Sequence, residues 1–395
     1  LSRPILVINA GSSSLKFAVF AADVSRRLAR GEIENIGAAA VLKTVCGDAD
    51  SIGHAVAAKS AGGALQVAIE WVDRQFPDRR FSAIGHRIVH GGTRYREPTV
   101  LDDAVLRDLE SLDPLAPQHQ PYNLAAAREL RARFPDALAV ACFDTAFHSG
   151  WDDSAQRIAL PRRFHDAGVR RYGFHGLSYE YLSGRVRALA PDARRVVLAH
   201  LGGGSSICAV RDGGSIESTM GFSVLDGLPM TTRSGAIDPG AIFHLHRQHG
   251  LDFEQIEHML YYDSGLKGAS GISGDMRVLL ASGDVAARQA IALYVHRCIG
   301  AIGAMAATLG GIDALVFSGG IGANAAAPRA SICAQLEFLG VVLDASANAA
   351  KVGRISAAQS TVAVFALETD EEIVIARHCH ALLAARAVGA HHGDQ

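Results

Sequence analysis

The sequence predicts an α/β protein with one architecture used twice, and three observations carry this. Strand-like apolar runs alternate with helix-like runs along the chain. A strand, a Gly/Ser turn and a second strand occur at residues 5–20 and again at residues 196–210. A length of 395 residues suits two domains. The expected division gives residues 1–150 to the first domain and 151–370 to the second, with a last helix over 371–395 packing back on the first.

Taken in order, residues 5–9 and 15–20 are apolar runs on either side of Ala-Gly-Ser-Ser-Ser, hence strand, turn, strand. Residues 36–65, rich in Ala and Gly, read as a loop and a peripheral segment. Residues 65–76 carry apolar side chains at helical spacing. A strand over 81–89 runs into His90-Gly91-Gly92, and 123–134 reads as a helix capped by Asn123. A buried strand over 137–143 ends at Asp144. After the second hairpin, 286–309 is a long Ala-rich core helix. A short strand over 314–317 enters Gly319-Gly-Ile-Gly322, and a late strand over 361–367 ends at Glu368. The last helix starts near Asp370.

Composition narrows the function. Charged residues are 20% and hydrophobic ones 49%, with a net charge of −2 and no basic block. Nucleic acid is therefore not an expected partner, and no apolar run suggests a membrane span. Six cysteines lie scattered with no CxxC pair. They read as core residues of a protein in a reducing compartment, the cytoplasm. His378, His380, His391 and His392 read as a solvated tail.

Three Gly/Ser turns follow strands, at 9–14 (with Ser12 and Ser14), 202–206 and 319–324. Glycine lets backbone amides approach phosphate oxygens, and such nests attract anions. Each turn alone is equally an ordinary tight turn; three in one chain point to phosphate. None is a P-loop or a dinucleotide fingerprint. Lys16 shares a strand face with Ser14 and can reach a phosphate, or else is a surface lysine. Asp144 ends a buried strand, a placement suited to a ligand cleft. His175, in Arg170-Arg-Tyr-Gly-Phe-His175-Gly, can donate to a phosphoryl group or be structural. Arg233 lies in a turn-rich stretch where function is common, though a surface ion pair is the alternative. Together these charges suit phosphoryl transfer, which needs positioning and neutralisation of anionic oxygens.

The ordered motifs then resemble a known family. They are Asn9-Ala-Gly-Ser-Ser-Ser-Leu-Lys16, Gly85-His-Arg-Ile-Val-His-Gly-Gly92, Phe143-Asp-Thr-Ala-Phe-His148, Tyr172-Gly-Phe-His-Gly176, His200-Leu-Gly-Gly-Gly-Ser-Ser206, Gly320-Ile-Gly-Ala-Asn324 and Thr369-Asp-Glu-Glu-Ile-Val-Ile-Ala-Arg377. Nearly end to end, the chain resembles the acetate/propionate kinases of the actin-like sugar-kinase superfamily. The resemblance implies two duplicated actin-like (ribonuclease H-like) domains with the active site in the cleft between them, and a homodimer. It implies ATP and ADP, acetate and acetyl phosphate as ligands, and Mg2+ or Mn2+ as cofactor. By position, Asn9 and Glu371 would hold the metal and Lys16 would bind ATP. Arg87 would hold the acyl carboxylate. Asp144 is the family's catalytic aspartate, and His175 and Arg233 would stabilise the transition state. His200, Leu201, Gly202, Gly203, Gly204, Asp275, Met276, Arg277, Gly320, Ile321, Gly322, Ala323 and Asn324 would contact nucleotide. His119 falls near the site.

Chemistry adjusts one role. A carboxylate substrate is already ionised at neutral pH and needs no general base, so Asp144 is expected to place metal or its waters. Three positions depart from the family pattern. Gly203 stands for Asn and Ala323 for Glu, which makes the adenosine pocket open and ATP the expected donor. Gln118 stands for an apolar residue, leaving Val89, Phe174 and Val224 as the apolar wall of the acyl pocket. A phosphoanhydride hydrolase is the less favoured alternative.

Overall fold

The computed structural model describes residues 3–11, 13–47, 52–78, 80–350 and 353–392. The chain divides into two compact units, Leu1–Ala146 with Asp370–Gln395, and Phe147–Thr369.

The first unit is built on an eight-stranded sheet. Its strands are β1 (Ile5–Ala10), β2 (Leu15–Phe20), β3 (Arg27–Glu34), β4 (Val41–Cys46), β5 (Ile52–Ala55), β6 (Ala83–Ile88), β7 (Thr99–Val100) and β8 (Leu138–Phe143). The order is β5-β4-β3-β2-β1-β6-β8-β7. β1 to β5 form an antiparallel meander, β6 and β8 join β1 in parallel, and β7 closes the edge antiparallel to β8.

Strand alternation assigns the two faces of this sheet. Leu6, Ile8 and Ile84 point into a core with the helices Ala61–Gln75 and Gln120–Arg133. Val7, Gly85 and Arg87 point the other way, where the last helix, Glu371–His392, packs. Gly85 permits that approach: a Cβ there would collide with Ile375 and Cys379. The same period brings Asn9 and Arg87 to the end of this face, beside the start of the last helix.

The second unit repeats the plan. Its strands are β9 (Arg195–Leu201), β10 (Ser205–Arg211), β11 (Gly214–Ser218), β12 (Ala314–Ser318) and β13 (Ala363–Ala366), in the order β11-β10-β9-β12-β13. Two antiparallel steps on one side of β9 and two parallel steps on the other reproduce β3-β2-β1-β6-β8. The duplication suggested by the two hairpins is thus present in strand order and direction. One face carries the helix Val285–Leu309, whose Ala287, Tyr294, Cys298 and Ile302 join a core with Val197, Leu315 and Phe317. The other carries Gly176–Leu189, through Tyr179, Leu182 and Val186 on Val196 and Leu198.

Several elements differ from expectation. Residues 36–65 contain β4 and β5, with Leu42 and Thr44 buried between more exposed neighbours. These strands extend a sheet edge and need little apolar sequence, so composition hid them. The helix read from residue 65 starts at Ala61, where Ser60 Oγ accepts from the amide of Gly63; two glycines in its first turn masked the start. Asn123 is not a cap. Its helix begins at Gln120, with Pro121 in the first turn, and Asn123 is turned inward. Residues Gly319–Asn324 form a short helix rather than a turn. One helix among the described residues, Val285–Leu309, is by length and composition apolar enough to cross a membrane, but Arg288, His296 and Arg297 interrupt it and it packs one side on the second sheet as the expected core helix.

Candidate active site

In the first unit, the ends of β1, β6 and β8 and the start of the last helix bring four predicted residues together. Arg87 Nε donates to Asp144 Oδ1 at 3.0 Å, and Nη2 donates to Oδ2 at 2.5 Å. Arg87 Nη1 donates to Asn9 Oδ1 at 3.2 Å, and Asn9 Nδ2 donates to Glu371 Oε2 at 3.2 Å. Glu371 Oε2 also lies 3.9 Å from Arg87 Nε. Asp144 is 1% exposed. Burial pushes its carboxyl up from the usual range; Arg87 opposes this and Glu371 adds to it. For Arg87, burial works against the charge, but Asp144 and Glu371 outweigh it and hold the guanidinium protonated.

Two buried amides fix the strand ends that carry these groups. Asn123 Oδ1 accepts from the amide of Val89 at 3.0 Å, and its Nδ2 donates to the carbonyl of Ala10. Gln120 Oε1 accepts from the amide of His90 at 3.1 Å, and its Nε2 donates to the His90 carbonyl at 3.0 Å. Thr145 Oγ1 accepts from Gly91. None of these was singled out from sequence as a site element; Gln120 and Asn123 look like ordinary polar positions of a helix. Lys16 is half-exposed and lies 3.6 Å from Glu32 on the neighbouring strand. Ser14 closes the first turn by accepting from the amide of Gly11 through its carbonyl at 2.8 Å. Ser12 lies outside the described residues. His119 precedes the helix that holds Gln120 and Asn123, Gln118 is partly buried in the loop before it, and Val89 is buried.

In the second unit, His175 adopts a left-handed backbone (φ 59°) at the start of the helix Gly176–Leu189. That conformation is costly for a residue with a Cβ and marks a constrained position. Its Nδ1 is 2.7 Å from Ser206 Oγ, which is itself 2.5 Å from the hydroxyl of buried Tyr179. Its ring stacks on His200 with centroids 4.5 Å apart, and His200 Nδ1 lies 2.8 Å from Ser178 Oγ. His148, from the Phe143-Asp-Thr-Ala-Phe-His motif, holds the preceding residue, with Nε2 2.9 Å from the Phe174 carbonyl. Burial lowers the His148 pKa to about 4. Neutral His148 then donates through Nε2 and accepts from Ser215 through Nδ1.

Gly204 shows where these groups converge. A Cβ on it would sit 3.0 Å from His175 Nε2 and 3.1 Å from Arg233 Nη2, so the imidazole and the guanidinium both face one glycine turn. Arg233 Nη1 is anchored on the Val224 carbonyl at 2.6 Å. Phe174 and Val224 are buried.

A cavity of about 750 Å³ opens beside the same turn, within the usual range for a small-molecule site. Gly202 and Gly203, then Asp275, Met276 and Arg277, then Gly320, Ile321 and Asn324 line it, which brings together most of the residues expected to contact nucleotide. Asp275 caps the helix Met276–Ala281 and pairs with Arg277, Oδ2 to Nη2 at 2.6 Å. Five expected residues do not line this cavity, and one of them, Gly204, faces His175 and Arg233 instead. Leu201 belongs to the sheet core, Gly322 and Ala323 are buried behind the wall, and His200 stands under His175. Thr231, Gly274, Leu280 and Ala325 line it without having been foreseen. Thr231 is tied to the glycine turn, its amide donating to the Gly203 carbonyl.

A carboxyl, amide and guanidinium cluster in one unit, and a histidine and an arginine aimed at a glycine turn beside a cavity in the other, suit phosphoryl transfer. Comparison with known proteins agrees. The model of the acetokinase family matches residues 4–377. The acetate kinase of Methylocella silvestris is 46% identical, over 97% of this chain and 98% of its own. That of Rhizobium meliloti is 47% identical, over 96% and 98%. Among solved structures, a propionate kinase from Francisella tularensis superposes with a TM-score of 0.89 at 34% identity, over 96% of this chain and 99% of its own. Porphyromonas gingivalis acetate kinase gives 0.86 at 33%, over 97% and 100%. The chain belongs to the acetokinase family and is a kinase with that family's actin-like two-domain fold.

Proposed function

We propose that the enzyme transfers the γ-phosphoryl group of ATP reversibly and directly to acetate, giving acetyl phosphate and ADP. The observation that carries this is the Arg87–Asp144–Asn9–Glu371 cluster. A guanidinium paired to a buried carboxylate, with an amide oxygen and a second carboxylate beside it, suits a site that takes both a carboxylate and a metal–phosphate.

The charges explain the need for a cation. One guanidinium against two carboxylates leaves a net single negative charge, which repels acetate and ATP alike. Asp144, Glu371 and the Asn9 amide oxygen are hard oxygen donors, the set that suits Mg2+, which binds through one or two carboxylates and keeps waters and phosphate oxygens. When bound, the ion supplies neutralisation of the phosphoryl oxygens. Mn2+ takes the same donors. Asp144 serves as such a donor and not as a base, since acetate arrives ionised. Arg87 orients the acyl carboxylate near His119 and Val89. His175 and Arg233 donate to the phosphoryl oxygens as charge builds on them, and Lys16, Ser14 and the 202–204 and 320–324 segments hold nucleotide. Phe174 and Val224 supply apolar surface for the acyl group, and Gln118 turns to solvent.

Propionate is the second acid, favoured by the likeness to a propionate kinase. By family resemblance the enzyme works as a cytoplasmic homodimer. Exposed Phe243, Phe253, Tyr262 and Val285 on the second unit offer apolar surface for a second copy. Residues 1–150 with 371–395, and 151–370, are its two domains.

Trapping of acyl phosphate as the hydroxamate tests the assignment. With ATP and Mg2+, acetate is expected to give the highest kcat/KM among formate, acetate, propionate, butyrate and glycolate. ATP hydrolysis without hydroxamate would make the enzyme a phosphoanhydride hydrolase, and product from pyrophosphate but not ATP would overturn the donor.

A further inference from the structure

Arg329 heads the largest side chains buried from solvent, with no exposed surface. A buried arginine ordinarily pairs with a carboxylate, yet among the described residues no ion pair is formed by Arg329. Its guanidinium reaches three carbonyl oxygens instead. Nη1 donates to the Gly322 carbonyl, Nε to Asn348 Oδ1 and Nη2 to the Asn348 carbonyl, each at 2.8 Å. Asn348 is also buried, and its Nδ2 donates to the Ala326 carbonyl at 3.0 Å.

The place of this pair in the fold gives it a purpose. The short helix Gly319–Asn324 stops at Ala325, whose extended backbone (φ −96°, ψ 96°) separates it from the helix Ala326–Cys333. Such a break leaves the last carbonyls of the first helix without helical partners. Arg329 reaches back across it to the Gly322 carbonyl, and Asn348, from the helix Ala345–Ala350, takes the Ala326 carbonyl. Gly320, Ile321, Asn324 and Ala325 face the cavity, while the Gly322 carbonyl is held from behind.

We propose that Arg329 and Asn348 form a clamp that positions the 320–325 wall for the nucleotide, with Arg329 as a positioning residue that does not itself touch substrate. This rests on the reading of the cavity as the nucleotide site. A planar fork spans acceptors in three directions; a lysine ammonium at the end of a flexible stem does not.

Arg329→Lys, Asn348→Ala and the double variant test the clamp, in the full-length enzyme. Each single variant is expected to raise the KM for ATP and the calorimetric Kd for ADP about five- to tenfold, the net effect of one lost hydrogen bond passed on to the wall. kcat and the KM for the acid should stay within about twofold, since a clamp acts only through the nucleotide wall. Amide exchange at residues 320–326 should quicken, and the double variant should match the single ones because both members serve one clamp. Unchanged ADP affinity in folded Arg329→Lys, or an equal rise in the KM for the acid, would overturn the proposal. If Arg329→Lys does not fold, Asn348→Ala carries the same expectation and the same refutation. Failure of the wild-type enzyme to bind ADP would instead overturn the cavity reading, and the clamp's role with it.

Discussion

Replacing Arg87 should damage stability as well as activity, and the two losses can be separated. Arg87→Met removes the fork on Asp144 and the bond to Asn9. It leaves a carboxylate of 1% exposure without its counter-charge, with Glu371 nearby. Removing one partner of a buried ion pair costs about 3–5 kcal/mol. For a unit of this size that lowers Tm by about 6–20 °C. In Arg87→Met/Asp144→Asn the most deeply buried charge goes with its partner and only the part-exposed Glu371 remains, so most of the stability should return while acyl hydroxamate formation stays abolished. The sign with pH is fixed. Without Arg87 the Asp144 pKa rises further above its unfolded value, so the deficit is fullest at neutral pH and shrinks as pH falls towards 4. Urea unfolding can be read unit by unit, because buried Trp71 lies in the first unit and buried Trp151 in the second. In a Trp151→Phe background, fluorescence follows the first unit alone. A single variant as stable as wild type, or a double variant no more stable than the single, would refute the reasoning.

Three further outcomes follow from the same geometry. Burial lowers His86 to about pKa 3 and His90 and His148 to about 4, from 6.5. Folded, they stay neutral while the unfolded chain takes up protons, so stability is complete above pH 6.5 and falls below it by about 1.4 kcal/mol per pH unit for each histidine. The first unit, with two of them, should lose stability faster than the second in urea titrations between pH 6.5 and 4.5, and His86→Met should flatten its slope. Gly203 lines the cavity with its nearest neighbour 3.7 Å from a built Cβ. Gly203→Ala should therefore be neutral, while Gly203→Phe should raise the KM for ATP about tenfold or more with the KM for acetate unchanged; equal kinetics for the two would place the nucleotide elsewhere. Ser206→Ala removes the hydroxyl that orients His175. It should lower kcat about tenfold with little change in either KM, and unaltered kcat would mean that the ring is held by other contacts.

What the sequence made legible was whatever physics places at strand ends. Glycine segments after apolar runs, an aspartate closing a buried strand and an arginine before His-Gly-Gly are local signals, and the structure has each at the end of a strand, although the third glycine segment is a short helix and not a turn. Duplication was legible in the two hairpins because strand, turn and strand are adjacent in the chain. The pairing of Arg87 with Asp144 was not legible, since 57 residues and a crossover separate them; nothing local tells a substrate anchor from an ion pair. The cavity residues Asp275, Met276 and Arg277 came only through the family resemblance, because a helix start carries no ligand signature. The supporting groups were the least visible of all. Gln120, Asn123, Ser206 and Asn348 have ordinary polar side chains, and only burial against a carbonyl or ring gives each a task. Arg329, in an alanine-rich stretch, reads as a surface arginine. A charge in that setting can be kept buried only if its donors meet fixed acceptors, so its three carbonyl partners and the helix break they span belong to one arrangement. Losing any member of it leaves a buried charge or a buried carbonyl unmet, which is why the wall it holds should respond to Asn348 as it does to Arg329.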